Sequence, residues 1–158
     1  MAATSKKECV LCKFVHGRDA ETARMYPIYI KMEHIFVEIC FWDQRQVLTA
    51  CSLFQNAPNL KKLGMRSCVS STWDQDQDQA NIQELTVQLQ MDHLVTASME
   101  GFAGLDYEVD FVAKLLSWAP ALEELEIEWE GETDCSRVLA KLLALPRVSP
   151  RAKVIVTF

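Results

Sequence analysis

The sequence predicts an α/β fold in which mostly parallel strands form a sheet with helices on one face. Residues 57–65 repeat as residues 119–127, with the shared pattern Ala-Pro-x-Leu-x-x-Leu-x-apolar. In both copies apolar residues at helical spacing precede this pattern, and alternation of apolar and polar residues follows it. Helices that connect strands of one sheet require parallel pairing. We therefore expect a short curved solenoid of two repeats plus a C-terminal helix–strand cap.

Each copy is predicted to run strand, strand, helix, strand. The predicted segments, copy one before copy two, are first strands 28–30 and 84–89, second strands 35–40 and 94–99, and helices 45–56 and 107–118. A Met-acid-His sequence ending at His34 and at His93 links the first two strands, which places these histidines at equivalent turn positions. The two copies of the Met-acid-His sequence are closer together along the chain than the two Ala-Pro copies. This difference predicts a small insertion in the second copy, at 101–105.

Capping residues mark the ends of these two helices. Asp43 and Asp106 stand where an N-cap side chain accepts hydrogen bonds from unpaired backbone amides. Pro58 and Pro120 follow the helices and end them, because the residue before a proline is disfavoured in helical backbone angles.

The third strands and the C-terminal residues complete the prediction. Leu125, Ile127 and Trp129 alternate with glutamates, which indicates a strand with one buried and one wet face. A last helix at 136–145, with Asp134 as its cap, precedes a final strand at 153–158.

Composition narrows the functional classes. The chain has 158 residues and a net charge of −6, which disfavours general binding to nucleic acids or anionic membranes. It has no apolar run long enough for a membrane span, and its first residues lack the apolar core of a signal peptide. We therefore expect an intracellular protein, in the cytoplasm or nucleus, whose six cysteines are reduced.

Metal and catalytic sites are weakly indicated. Cys9, Cys12 and His16 have zinc-like spacing, but a fourth ligand is missing, so a small zinc-binding protein is the least favoured alternative. None of the glycine-rich, nucleophile-elbow or His-Glu-x-x-His motifs occurs. We expect no enzymatic activity and no cofactor.

Residues 102–108, Phe-Ala-Gly-Leu-Asp-Tyr-Glu, and the sequence that follows them are similar to a known protein family. This segment resembles the FBD domain, which is found at the C-terminus of many plant F-box/leucine-rich-repeat proteins. The resemblance is specific over 91–158 and looser, leucine-rich-repeat-like, over 25–70. It implies the target-recognition part of a ubiquitin-ligase receptor.

The resemblance also sets an expected domain organisation. No Leu-Pro-x-x-apolar-Leu start of an F-box is visible, so docking to the ligase adaptor is not expected. An alternative is a truncated F-box-family remnant without independent activity. The predicted segments are an extension at 1–24, a leucine-rich-repeat-like unit at 25–70, a polar linker at 71–82 and an FBD-like domain at 83–158.

Candidate partner-binding residues are the wet positions of the third strands, which would line the concave face of a solenoid. They are Lys62, Arg66, Glu124, Glu126 and Glu128. Because the two copies carry opposite charge, the protein partner is expected to be bipolar. Four aromatic residues are alternative hot spots, although their spacing favours core positions: Phe102, Phe111, Trp118 and Trp129.

Overall fold

The computed structural model describes residues 32–68, 88–131 and 134–158. Its elements, in chain order, are β1 (His34–Ile39), α1 (Gln44–Gln55), β2 (Lys62–Ser67), β3 (Thr96–Phe102), α2 (Asp106–Trp118), β4 (Glu124–Trp129), α3 (Ser136–Ala144) and β5 (Lys153–Thr157). The five strands form one parallel sheet in the order β1-β2-β3-β4-β5. The predicted α/β class is confirmed, and strands from both copies share this sheet.

The Ala-Pro segments are structurally equivalent. The amide of Leu60 donates to the carbonyl of Ala57 at 3.1 Å, and the amide of Leu122 donates to that of Ala119 at 3.3 Å. Each turn directs a buried leucine towards the core just before a strand begins. A third turn of this kind precedes β3, where the amide of Leu94 donates to the carbonyl of Met91 at 3.2 Å.

The predicted equivalence of the two histidines is wrong. His34 lies within β1 beside Lys62, in the row that continues to Thr96, whereas His93 lies in the turn before β3. The register follows the buried positions, such as Leu94, because they must all reach the same core. The matching histidines are exposed, so burial does not require them to occupy equivalent positions.

The predicted insertion at 101–105 is also wrong. Paired residues of β1 and β2, such as His34 and Lys62, are 28 positions apart, and so are Thr96 and Glu124 of β3 and β4. The local irregularity is a bulge in β3, across which the register with β4 shifts. Gly101 lies in this bulge and has a positive φ of 70°.

The helix starts show one confirmed cap and two corrections. Asp43 caps α1 by accepting from the Arg45 amide at 3.0 Å. Asp106 is not the cap of α2, since the N-cap residue is Leu105. The carboxylate of Glu108 reaches back and accepts from the Leu105 amide at 3.0 Å. At α3 the N-cap residue is Cys135 rather than the predicted Asp134, although the Asp134 carboxylate accepts from the Ser136 amide at 3.0 Å.

The predicted first strands are not supported where they are described. Gln88 and Leu89 form no regular structure, although Leu89 is buried, and 84–87 lie outside the described residues. The predicted strand 28–30, the extension 1–24 and the linker 71–82 also lie outside them. Within the three described ranges, no helix is long and apolar enough to cross a bilayer.

A single apolar cluster joins the inner face of the sheet to the helices. Phe41, which follows β1, packs on Phe111 of α2 with ring centroids 4.8 Å apart, so the two copies share this core. The four candidate aromatic residues are at most 9% exposed and belong to the cluster, which confirms their predicted core positions. Burial raises the pKa of the Cys51 thiol to about 11, despite the opposing charge of Lys114.

Candidate functional site

The strands direct alternate side chains to opposite faces of the sheet. One set packs against the helices, and the other set forms a surface that we call the open face. The open face consists of His34, Phe36, Glu38, Lys62, Gly64, Arg66, Thr96, Ser98, Glu100, Glu124, Glu126, Glu128, Lys153, Ile155 and Thr157. All of these except Gly64 are exposed or half-buried.

All five predicted contact residues lie on the open face. Lys62 and Arg66 lie on β2, and the three glutamates lie on β4. β3 runs between these strands, so the two groups are separated by two strand spacings, about 10 Å. The structure therefore brings the predicted residues together on one surface. Their role in binding stays a prediction.

The charge of Arg66 is balanced within the sheet. Its Nη2 and Nε both donate to one carboxylate oxygen of Glu100, at 2.9 and 3.2 Å. This hydrogen bonding and the charge of Glu100 raise the pKa of Arg66, with smaller contributions from Glu38 and Glu130. Lys62 is the other cation of the predicted set, and it forms no ion pair with any described residue.

The carboxylates of Glu124, Glu126 and Glu128, which we call the acidic strip, are not balanced in this way. They are exposed, and no cation of the described ranges lies within ion-pair distance of them. Lys153 lies beside Glu124 on the neighbouring strand, but their side chains form no ion pair. Glu126 lies between the uncharged neighbours Ser98 and Ile155.

Packing on the other side of β4 holds the acidic strip in place. Leu125 and Ile127 are fully buried, and Trp129 is 9% exposed. The indole Nε1 of Trp129 donates to the carbonyl of Gly131 at 3.0 Å, and its ring packs on Phe102 with centroids 5.7 Å apart. These contacts fix the strand that carries the glutamates.

Sequence analysis missed the apolar residues of the open face. Phe36 is 58% exposed and Ile155 is 40% exposed. The Phe36 ring occupies the space above Gly64, since a methyl group at position 64 would lie 2.6 Å from its Cδ2 atom. The Arg66 guanidinium carbon lies 5.9 Å from the ring centroid. The sequence did contain a signal, because Phe36 is two residues from His34 and therefore faces the same side of the strand. The apolar neighbours Ile35 and Val37 obscure this alternation.

The FBD-like segment has a structural role in this fold. Glu108 is fully buried, and its carboxylate accepts from the amides of Ala103 and Leu105 at 3.1 and 3.0 Å. Burial raises the pKa of Glu108, opposed by hydrogen bonds from the Ser67 side chain and from backbone amides that include Gly104. This carboxylate ties the β3–α2 turn to the end of β2.

The weak metal candidates Cys9, Cys12 and His16 lie outside the described residues. Where side chains are described, no group of three or more histidine, cysteine, aspartate or glutamate residues is placed to hold a metal ion.

Comparison with known proteins gives a distant relative. The chain is 26% identical over 142 residues to an F-box/FBD/LRR-repeat protein of Arabidopsis thaliana, covering 88% of this chain and 34% of that protein. It therefore spans about a third of the relative's length. No family model and no solved structure matches the chain. The similarity supports the resemblance noted above, and the parallel sheet is compatible with a leucine-rich-repeat-like fold.

Proposed function

We propose that this chain is a non-enzymatic interaction module, the target-recognition part of a plant F-box/leucine-rich-repeat type ubiquitin-ligase receptor. The similarity to the Arabidopsis F-box/FBD/LRR-repeat protein supports the family. The observation that carries the proposal is the open face, where every strand presents outward side chains beside its neighbours. Solenoid proteins commonly bind their partners on extended surfaces of this kind.

The proposal includes a short solenoid of two repeats plus a cap, with the open face on its concave side. Its support is the common 28-residue spacing of β1–β2 and β3–β4 and the equivalent turns before β2, β3 and β4. This spacing separates the two strands within each copy, and the copies themselves are offset by 62 residues, as from His34 to Thr96.

Reversing the acidic strip tests the proposed role. The variant Glu124→Lys/Glu126→Lys/Glu128→Lys should lose the partners that the wild-type chain retains, because three contact charges change sign while the buried side of β4 is unchanged. The measurement is affinity purification from plant extract with quantitative mass spectrometry, using both chains as bait at equal loading.

A matched control separates the face from the net charge. Asp92, Asp106 and Asp110 are exposed and lie on a turn and on α2, away from the open face, and their replacement by lysine changes the net charge equally. Partners should be retained by this control. Retention of the same partners by the open-face variant would contradict the proposal.

A further inference from the structure

We propose that the open face binds a lysine- and arginine-rich protein segment, whose cations contact the acidic strip while an apolar side chain contacts Phe36. This inference rests on the proposed function and adds the chemistry of the partner. Four properties of the open face carry it: its size, its unbalanced charge, the spacing of its glutamates and its exposed apolar side chains.

The part of the open face that the structure describes has a size that suits a short segment better than a folded partner. Five strands at about 4.8 Å and roughly five residues at about 3.3 Å give a surface on the order of 20 by 17 Å. Standard interfaces between folded proteins bury about 800 Å² on each partner, well above this footprint.

The unbalanced charge of the open face is negative, and its sign selects a basic partner. Arg66 is paired with Glu100, so it does not neutralise the acidic strip. Lys62 and Lys153 lie in the row of Glu124, at one end of the strip. The negative charge therefore increases along β4 towards Glu128.

The spacing of the acidic strip matches an extended chain. Glu124, Glu126 and Glu128 are two residues apart, which places successive carboxylates about 6.7 Å from each other along β4. Alternate side chains of an extended segment have the same spacing. A segment with lysine or arginine at every second position can therefore meet each carboxylate in turn.

Apolar contacts lie in the same row as the central glutamate. Phe36, Gly64, Ser98, Glu126 and Ile155 follow one another across the sheet. The aliphatic part of a lysine or arginine side chain can pack on Ile155 while its charged end reaches Glu126. Ser98 is short, so it leaves access from the acidic strip towards the exposed ring of Phe36.

A labelled peptide tests this chemistry directly. The probe is a short fluorescein peptide with lysine at alternate positions, a glycine spacer long enough to cross the roughly 14 Å from β4 to β1, and one terminal phenylalanine. Its binding to the full chain is measured by fluorescence anisotropy. We expect the variant Glu124→Gln/Glu126→Gln/Glu128→Gln to weaken binding about tenfold, since it removes three contact charges without changing side-chain size. Binding to the wild-type chain should also weaken as salt rises from about 50 to about 300 mM.

The apolar contact is tested separately. The Phe36→Ala variant should weaken binding of the phenylalanine-containing probe about fivefold, and should leave binding of the same peptide without phenylalanine unchanged. Phe36 is mostly exposed, so this substitution is not expected to disturb folding. An equal effect on both peptides would overturn the assigned contact.

The matched control is Asp92→Asn/Asp106→Asn/Asp110→Asn, which changes the net charge equally and should leave binding unchanged. Equal weakening by both triple variants would mean that the peptide senses only net charge, and would overturn the inference. So would failure of the peptide to bind at low salt. If the peptide fails while the charge-reversed chain still loses its partners, the proposed function stands and only the partner chemistry is wrong.

Discussion

Replacing Trp129 with alanine is expected to lower the free energy of unfolding by about 3–5 kcal/mol, the range for a buried aromatic side chain. The ring packs on Phe102 with centroids 5.7 Å apart, and its Nε1 donates to the Gly131 carbonyl. It also fills the space beside Gly104, where a methyl group would lie 2.5 Å from the indole Cη2 atom. Truncation therefore leaves a cavity under the end of β4 that these neighbours cannot fill without moving.

Urea denaturation followed by far-ultraviolet circular dichroism measures this loss. The control is Phe158→Ala, because Phe158 is also a large aromatic side chain but is 79% exposed. Exposed positions of this kind usually change stability by less than about 0.5 kcal/mol. A Trp129→Ala variant as stable as the Phe158→Ala control would show that the indole does not pack as described.

Glu108→Ala is expected to lower the free energy of unfolding by about 2–4 kcal/mol, because it leaves the amides of Ala103 and Leu105 without their acceptor. Glu108→Gln keeps one carbonyl oxygen and should lose less. The matched control is Asp110→Ala on the exposed side of α2. Equal stability of the Glu108→Ala and Asp110→Ala variants in urea denaturation would contradict this role.

The same carboxylate gives a signed pH dependence. Burial raises the pKa of Glu108 above its ordinary value of 4.5, so the folded chain binds this proton more tightly than the unfolded chain. The contribution of this proton to stability is complete below pH 4.5 and is lost as pH rises through the folded pKa. The wild-type chain should therefore lose stability relative to Glu108→Gln over that interval. A difference that stays constant with pH would contradict the raised pKa.

Periodicity was sufficient to predict much of the fold. The alternation around Leu125 and Ile127 identified β4, and the helical spacing before the two Ala-Pro sequences identified α1 and α2. The cap of α2 could not be found in this way. It depends on the turn at Gly104, whose φ of 82° lets the chain bring Glu108 rather than Asp106 to the free amides.

The candidate site was predicted only in part for a related reason. Alternation alone placed the three glutamates of the acidic strip on a wet face. The pairing of Arg66 with Glu100 depends on the register between β2 and β3, which places residues 34 positions apart beside each other. No repeated sequence pattern indicates this register. Phe36 was missed because its neighbours Ile35 and Val37 are also apolar, which hides its outward parity.

The β3 bulge places one extra residue in β3 between two side chains that both face the core. Met99 lies beside Ile127 and Phe102 beside Trp129, so β3 uses three steps where β4 uses two. Loss of Gly101 alone would give both strands two steps and would keep Phe102 beside Trp129, facing the core. An in-frame deletion of this half-exposed glycine should therefore be tolerated better than a core substitution, and soluble expression of the deleted chain measures it.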